Sequence, residues 1–458
     1  MVKIVFSAFL AMGVLSSCAS TKELNKEQGI ITKNSSDQQL MDLVQQQSIK
    51  YFWDFAEPNS LLARERYHED GIYPQNDAHV ITTGGSGFGL ASIIVGVERG
   101  FISRSEAVKR LSHMMDFLAQ ADRHHGAWSH WIDGHTGKTV PFGKKDNGGD
   151  LVETAFLTSG ILIVREYFKN GNAEEKKLAT KCDELWKGID WNWYTKGGEK
   201  VLYWHWSPDY GWEMNHKLQG YDETLITYIL AASSPTHSID AETYYKGWAR
   251  NESYTTEKVK YGLPLIVKHN YAEEYGGPLF WAQYSYIGLD PRGLSDRMVK
   301  NFGDVTKNHA LINFNYHVEN PKAFKGYGKN YWGTTASYTR NEDGSVGYTA
   351  HAPNNDNGVI TPTAALSSFP YTPKQSMDFL RFLYTEKPEF IGSAGPYDAT
   401  SIHYDNWTTP RYLAIDQGTI TPMIENYRTG LLWKLFMNAP EIQQGLKKLG
   451  FQSSQYGF

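Results

Sequence analysis

Asp146-Asn147-Gly148-Gly149-Asp150-Leu151-Val152-Glu153-Thr154 joins a glycine-rich connection to an apolar stretch that runs on to Phe168. On continuous helix the acids at 146, 150 and 153 would share one face. The glycine pair instead starts the helix, leaving Asp146 in the preceding loop and placing Asp150 and Glu153 in the first turns. Acids there cap free N–H groups and complement the helix dipole, an effect worth about 1 kcal/mol. Carboxylates placed for catalysis use the same position, so this stretch alone leaves the two readings level.

The same alternation, a long Gly-, Trp- or Asn-rich connection and then an apolar helix, recurs along the chain. It predicts helices at Gln38–Phe55, Gly87–Arg99, Glu106–Ala121, Leu151–Phe168, Ala173–Ile189, Glu223–Ser233, Thr306–His317, Pro373–Tyr384 and Pro422–Met437. Ser103 and Glu106 form a capping box before the third. Hairpins are predicted where Ala127–Ile132 faces Thr139–Phe142 and where Lys200–Trp206 faces Tyr210–Trp212, as decoration on a helical body. No linker divides the chain after residue 40 and no repeat aligns, which removes a solenoid. A helical body of about 400 residues exceeds the ~250–300 that one simple core fills. An all-α toroid, with inner and outer helices burying a ring-shaped core around a central cleft, resolves this for a single domain spanning 41–458.

Composition agrees with a globular protein. Of 458 residues 41% are hydrophobic and 21% charged, and 45 basic against 50 acidic side chains give a net charge of −5, which excludes disordered, collagenous and disulfide-scaffold classes. That balance leaves no broad basic surface for nucleic acid. The aromatic fraction of 14% sits beside a mean hydropathy of −0.49. Aromatics in a polar chain fit a cleft that stacks on sugar rings, although core packing uses most of them in any protein.

Met1-Val2-Lys3, the apolar run Ile4–Leu15 and Leu15-Ser16-Ser17-Cys18 read as a signal peptide, 1–17, ending in a bacterial lipobox. The alternative is a plain cleaved signal with an incidental cysteine. The lipobox reading acylates Cys18, makes 18–40 a tether, and predicts an exported lipoprotein of the periplasm or outer membrane of a Gram-negative bacterium, touching the membrane only through its lipid. Cys182 then has no disulfide partner, and its amphipathic surroundings make it a core residue.

Candidate chemistry narrows by elimination. Gly84-Gly85-Ser86-Gly87-Phe88-Gly89 imitates a dinucleotide loop, but its spacing is wrong by one residue and neither a βαβ unit nor a Walker lysine follows. Its glycines are read as letting a helix start close to a cleft. The 15 histidines include no His-Glu-x-x-His pattern, and Asn354-Asn355-Asp356-Asn357-Gly358 lacks the spaced carboxylates of a calcium loop and reads as a turn. No metal site is expected. A Gly-x-Ser-x-Gly elbow is absent, so acyl transfer has no support.

Carboxylates remain. Gly220-Tyr221-Asp222-Glu223-Thr224 opens an apolar helix after the aromatic runs Tyr203-Trp204-His205-Trp206 and Tyr210-Gly211-Trp212. Glycosidic chemistry needs a proton donor at the leaving oxygen and a base, and a carboxyl among aromatics is raised toward the donor's role. The competing reading is again a helix cap. Asp416, in Ala414-Ile415-Asp416-Gln417-Gly418, is a third candidate, while Glu425 and Arg428, three apart, are expected to form an ion pair.

Over about Ser48 to Phe451 the sequence resembles the bacterial glucoamylase-like proteins of glycoside hydrolase family 144. The matching stretches are Asp146–Thr154, Gly220–Tyr228 continuing to Ser233-Ser234-Pro235-Thr236-His237, Gly277–Phe280 to Gly288–Gly293, Tyr331–Ala336, Ser367–Pro373, and Ala414–Gly418 through Ile424–Trp433. The resemblance implies an (α/α)6 barrel, hydrolysis of β-1,2-glucan or sophoro-oligosaccharides with inversion, and no required cofactor. The glucoamylase label follows fold similarity to starch enzymes and by itself suggests the wrong linkage. The family's cleft acids correspond here to Asp146, Asp150, Glu153, Glu223 and Asp416. Glu223 is assigned as general acid and Asp416 as base, acting through a substrate hydroxyl and a water, with the other three binding glucose at the cleavage point. Inversion separates acid and base by roughly 6.5–9.5 Å, or farther with a relay. Trp204, Trp206, Trp212, Trp281, Trp332 and Tyr371 are candidates for stacking on sugars and Arg292 for holding hydroxyls or a cleft acid; each is equally readable as a core residue.

The expected partner is a β-glucan oligosaccharide or polysaccharide, bound by a monomer. Three alternatives stand: a non-catalytic glycan-binding lipoprotein, a polysaccharide lyase, which the acid-rich motifs disfavour because they would repel uronic acids, and an α-glucosidase on starch. Leu61–His79 and Asp240–Lys260 are the loops expected to decide between internal and terminal cleavage.

Overall fold

The computed structural model describes residues 32–458; the signal peptide, Cys18 and most of the tether lie outside the described residues. The expected tether ends sooner than residue 40. Ser36 and Gln39 form a capping box that starts α1 (Asp37–Trp53), because a serine cap with Gln at the third position satisfies two free N–H groups at once.

The helices then follow as α2 (Thr83–Glu98), α3 (Arg104–Gln120), α4 (Leu151–Phe168), α5 (Ala173–Lys187), α6 (Leu225–Ser233) and α7 (Ala241–Thr243), which runs into a π turn at Tyr244–Trp248. After short turns at Leu279–Ala282 and Tyr284–Tyr286 come α8 (Phe302–Glu319), α9 (Pro362–Leu366), α10 (Pro373–Glu386), α11 (Ala414–Arg428), α12 (Leu431–Met437) and α13 (Pro440–Lys448). Two kinds of helix alternate. α2, α4, α6, α9 and α11 are buried on nearly every side, whereas α1, α3, α5, α10 and α13 bury one stripe and expose the rest. The first set is therefore an inner layer and the second an outer one. α2 packs on α4, α11 and α1, and α4 on α5 and α6.

Glycines set the spacing of the inner layer. A Cβ on Gly87 would strike the backbone of α4 at Phe156 and Leu157, and one on Gly160 would strike the backbone of Gly87. These two helices touch through main chain, which is what the glycine run of α2 serves. Outside, Arg165 of α4 reaches Asp183 at 2.8 Å and Glu441 at 2.9 Å, tying α4 to α5 and α13. Cys182 is fully buried, as are Trp128, Trp186, Trp191, Trp248, Trp332 and Trp433.

Several boundaries differ from expectation. α2 starts four residues before Gly87, where the free N–H groups of Thr83 and Gly84 find acceptors in the His130 carbonyl and the Glu153 carboxylate. The predicted helix Pro422–Met437 is two helices, α11 and α12, broken where Gly430 takes φ +69°; Pro422 lies inside α11. Glu425 does not pair with Arg428. It accepts two hydrogen bonds from Arg99, at 2.7 and 2.8 Å, and Arg428 pairs with Asp42 at 2.7 Å. Strand Trp131–Asp133 pairs with Thr139–Val140 as expected, and also with Val80–Thr82, but Ala127–Trp128 turns back on Arg123–His124. His205–Trp206 pairs with Gly149–Asp150 rather than with Tyr210–Trp212. That pairing joins the aromatic run to the acid run, and it builds one wall of the cleft.

Candidate active site

The N-terminal ends of α2, α4 and α11 and the turn before α6 converge on a cleft of about 410 Å³. Its lining includes Glu65, Arg66, His130, Trp131, Phe142, Glu153, Trp204, Glu223, Tyr284, Tyr338 and Tyr348.

Asp150 is the N-cap of α4. Its Oδ1 accepts the N–H groups of Val152 at 3.0 Å and Glu153 at 2.9 Å, and its Oδ2 meets Nδ1 of His130 at 3.0 Å. Capping and site-building are thus one arrangement. The strand pairing sets His205 opposite Asp150, with its Nε2 3.4 Å from Asp146 and 3.7 Å from Asp150. Glu153, one turn into α4, accepts the backbone N–H of Gly84 at 2.8 Å.

Charge in this corner is shared unevenly. Burial together with the Asp150 charge holds Asp146 up to about 7, and burial followed by the same charge holds Glu153 at about 7, although His130 opposes both. Burial also opposes charge on Asp150, but the hydrogen bond from His130 and the nearby imidazoles outweigh it and pull Asp150 below its usual range. Burial opposes charge on His130 too, yet Glu153 and Asp150 raise it to about 9, while burial lowers His205 to about 4. One imidazolium among three acids results. Donor atoms of His130, Asp146 and Asp150 lie within 4.8 Å of one another, the arrangement among the described residues that could hold a metal ion; the imidazolium of His130 already supplies positive charge there. Asp356 is committed otherwise, to the hydroxyls of Tyr316 at 3.0 Å and Tyr327 at 2.8 Å and the N–H of Gly358, as befits a turn.

The neighbours Asp222 and Glu223 divide the two roles that the sequence left open. Asp222 accepts the N–H of Thr224 at 3.0 Å, its hydroxyl at 2.6 Å and the Asn270 amide at 2.9 Å, so it holds the turn that leads into α6 without capping the helix itself. Glu223 lines the cleft. Burial, then the charge of Asp222, and then those of Glu153 and Asp150 push its carboxyl well above the usual range, which favours its acid form.

Asp416 lies in the first turn of α11, 2% exposed, behind a wall made by Leu413, Ile415 and Tyr284. Its Oδ1 accepts the Tyr284 hydroxyl at 3.1 Å. Burial, then the charge of Asp398 beside it, raises it well above the usual range.

Among the aromatics, Trp204 lines the cleft, its ring 5.5 Å from His205 and nearly parallel to it. Trp206 and Trp212 instead pack with Trp193 in a cluster next to the cleft. Trp281, Trp332 and Tyr371 correct the expectation of stacking on sugars. They are 2%, 0% and 6% exposed, and the Trp332 indole and Tyr371 hydroxyl are spent on the carbonyls of Gln375 and Ala282. Arg292 is a correction too, since it clasps Asp290 at 2.7 Å and lies over Trp433, outside the cleft lining.

Sequence reasoning passed over Glu65, Arg66, His130, Trp131, Phe142, Tyr284, Tyr338 and Tyr348. Phe142, 52% exposed, stacks on His130 at 4.1 Å, and Tyr348, 58% exposed, projects from the hairpin Ala336–Arg340/Val346–Ala350. The segment Leu61–His79 does supply Glu65 and Arg66, but the second suspected loop, Asp240–Lys260, supplies no lining residue.

Residues 215–440 match the family described as "Glycoamylase: Putative glucoamylase". A solved endo-β-1,2-glucanase from Chitinophaga pinensis, in complex with sophorotriose and glucose, is 55% identical and superposes with a TM-score of 0.88 over 92% of this chain and 99% of that one. The chain belongs to the glucoamylase-like family. Another glucoamylase-like relative is the exo β-1,2-glucooligosaccharide sophorohydrolase (non-reducing end) of Parabacteroides distasonis, 46% identical over 432 residues. That match takes in 90% of this chain but only 58% of the relative's length. The fold reaches further than the sequence. An endo-β-1,2-glucanase from Talaromyces funiculosus, solved with sophorose, is 11% identical and has a TM-score of 0.63 over 90% of this chain and 92% of that one. In this glucoamylase-like chain the long connections between helices, not the helices themselves, supply most of the cleft.

Proposed function

We propose that the protein is a glycoside hydrolase that cleaves β-1,2-linked glucan or sophoro-oligosaccharides with inversion, on an (α/α)6 barrel. The observation that carries the reading is the place of Glu223, a carboxyl facing a cleft walled by Trp131, Trp204, Tyr284 and Tyr348, where burial and neighbouring acids favour its acid form. The linkage is supported by two relatives, one an exo β-1,2-glucooligosaccharide sophorohydrolase and the other an endo-β-1,2-glucanase.

In this mechanism Glu223 gives its proton to the glycosidic oxygen as the bond from that oxygen to the anomeric carbon breaks. A water bonds to the anomeric carbon from the other face and loses one proton. Asp416 stands behind the cleft wall, so that proton reaches it through a substrate hydroxyl. Asp146, Asp150 and Glu153, with His130, bind the glucose unit at the cleavage point, and Trp204 stacks on a sugar face. No metal or cofactor takes part. The domain, 41–458, acts as a monomer tethered through lipidated Cys18 in the periplasm or at the outer membrane.

The test is incubation of residues 19–458 with linear β-1,2-glucan and, separately, with starch. Sophorose or short β-1,2 oligomers from the first alone support the reading. Glucose from starch would indicate an α-glucosidase, and binding of oligosaccharide without product would indicate a glycan-binding protein.

A further inference from the structure

Behind Tyr284 the wall of the cleft holds two carboxyls, not one. Asp398 arrives on the connection between Gly395–Pro396 and Thr400–Ser401, is 5% exposed, and accepts the backbone N–H of Tyr338 on its Oδ2 at 2.7 Å. Its side chain is in hydrogen-bonding reach of Asp416. Each carboxyl has one oxygen satisfied, Asp398 by Tyr338 and Asp416 by Tyr284, and each has one buried oxygen, Oδ1 of Asp398 and Oδ2 of Asp416, with no donor. Two deprotonated carboxylates so placed would repel each other and leave both oxygens unsatisfied, whereas a proton between them satisfies both.

We propose that Asp398 and Asp416 share a single proton behind the cleft, and that Asp398 is the positioning residue that fixes the direction and the charge of Asp416. The surroundings favour one proton over none. Glu65 adds negative charge to both acids, the hydroxyls of Tyr284 and Tyr348 lie on the cleft side, and Arg411, whose carbonyl accepts the Asp398 N–H, supplies the nearest positive charge on that strand. Burial, with the charge of Glu65, holds Asp398 at about 7, although the hydrogen bonds from the Tyr338 N–H and from Asp416 oppose it.

This deepens the hydrolytic reading and rests on it for its catalytic meaning. The resting pair carries one proton and one negative charge. When the proton of the attacking water reaches Asp416, the pair carries two protons and no charge, and it returns to one when that proton leaves to solvent. Asp398 thus keeps Asp416 able to accept a proton although Asp416 is buried, because the shared proton can pass to Asp398 as the new one arrives. Both Tyr284 and Tyr338 line the cleft, so the pair also fixes two of its walls.

The test has two readouts. Infrared difference spectra near neutral pH count protonated carboxyls without any substrate. Asp398→Asn and Asp416→Asn should each remove one protonated-carboxyl band, and the double variant should remove no more than either single one. Bands that are unchanged in the single variants, or that are lost additively, would overturn the proposal. The second readout is the pH profile on β-1,2-glucan. Asp398→Asn should move the acid limb of kcat downward by about one unit or more, because the neighbouring carboxylate that raises Asp416 is gone, with KM within about threefold of wild type. A kcat lowered equally at every pH would mean a structural role only and would overturn the proposal. Should wild type leave β-1,2-glucan intact, the hydrolytic reading fails while the infrared count still decides the proton sharing; should Asp398→Asn not fold, Asp416→Asn tests the same band.

Discussion

The backbone N–H of Gly84 donates to the Glu153 carboxylate at 2.8 Å, one turn before the main-chain contact of two inner helices at Gly87 and Gly160. A glycine-rich helix start on α2 and an acid on the first turn of α4 thereby become one feature. A Cβ at position 84 would overlap the Glu153 carboxylate and press on Phe156. Gly84→Ala should therefore displace Glu153 and cost the charge-assisted hydrogen bond, about 1.5–3 kcal/mol. Expressed in kcat/KM on β-1,2-glucan, this is a loss of at least about tenfold. Circular dichroism should show an unchanged fold, and activity equal to wild type would remove Glu153 from the site.

Glu153 also makes a pH-dependent contribution to stability. Its folded value, about 7, is raised above the unfolded one, so the stability it supplies is complete below its unfolded pKa of about 4.5 and is lost as pH rises through 7. Glu153→Gln has no such loss. Measured against wild type by denaturant unfolding, the variant should gain about 2 kcal/mol between pH 5 and pH 8. A difference constant across that range contradicts the assignment.

The buried histidines act in the opposite direction. His309, His317 and His351 are lowered to about 4, in each case chiefly by burial. The folded protein keeps them neutral while the unfolded chain takes up protons, so the stability they supply is present above pH 6.5 and is lost as pH falls toward 4. Replacing His317 with Asn should flatten the acid side of the unfolding curve between pH 6.5 and 4, whatever it does to stability at pH 7.

Two tryptophans separate cleft from core. Trp204→Ala should raise KM for oligosaccharides, because stacking area is lost where substrate lies, and should leave the melting temperature nearly unchanged. Trp332→Ala should cost about 3–5 kcal/mol by opening a cavity. Its kcat/KM, measured well below the melting point, should stay within a few-fold of wild type.

Arg165 is a structural counterpart to these groups. It is 7% exposed and serves Asp183, Glu441 and Glu166 at once. Arg165→Met leaves buried and half-buried carboxylates without their cation and should cost about 3–5 kcal/mol. Thermal unfolding should show the loss, with no shift in the pH profile of activity.

Legibility in the sequence followed the range of the interactions. The inner helices α2, α4 and α6 were readable because their apolar runs are local, whereas the short α9 was not expected and α11 begins eight residues before the expected Pro422; Asp150 and Glu223 were readable because acids at helix starts leave a local signature. The choice between Asp222 as the turn residue and Glu223 as the acid depended on Asn270, 48 residues from Asp222, which no spacing reports. The pairing of His205 with Asp150 is likewise long-range, and it overrode the local hairpin expected at Tyr210–Trp212. His130 and Trp131 sat in the stretch expected to form a hairpin, of which only Trp131–Asp133 with Thr139–Val140 formed, and that strand is held on its other edge by Val80–Thr82. Asp398 had no signal at all, since a lone aspartate in a connection acquires meaning only from Tyr338 and Asp416. The tryptophans misled for a general reason: a large aromatic ring serves a core and a sugar platform equally well.

Product analysis tests the central claim most directly. Wild type and Glu223→Gln, each as residues 19–458, are incubated with linear β-1,2-glucan, with products resolved by chromatography and oligosaccharide affinity measured by calorimetry. The account predicts sophorose or short β-1,2 oligomers from wild type, a rate lowered about 10²–10⁴-fold in the variant, and similar affinity in both. Product formation at the wild-type rate by Glu223→Gln, or no product from either protein, would contradict it.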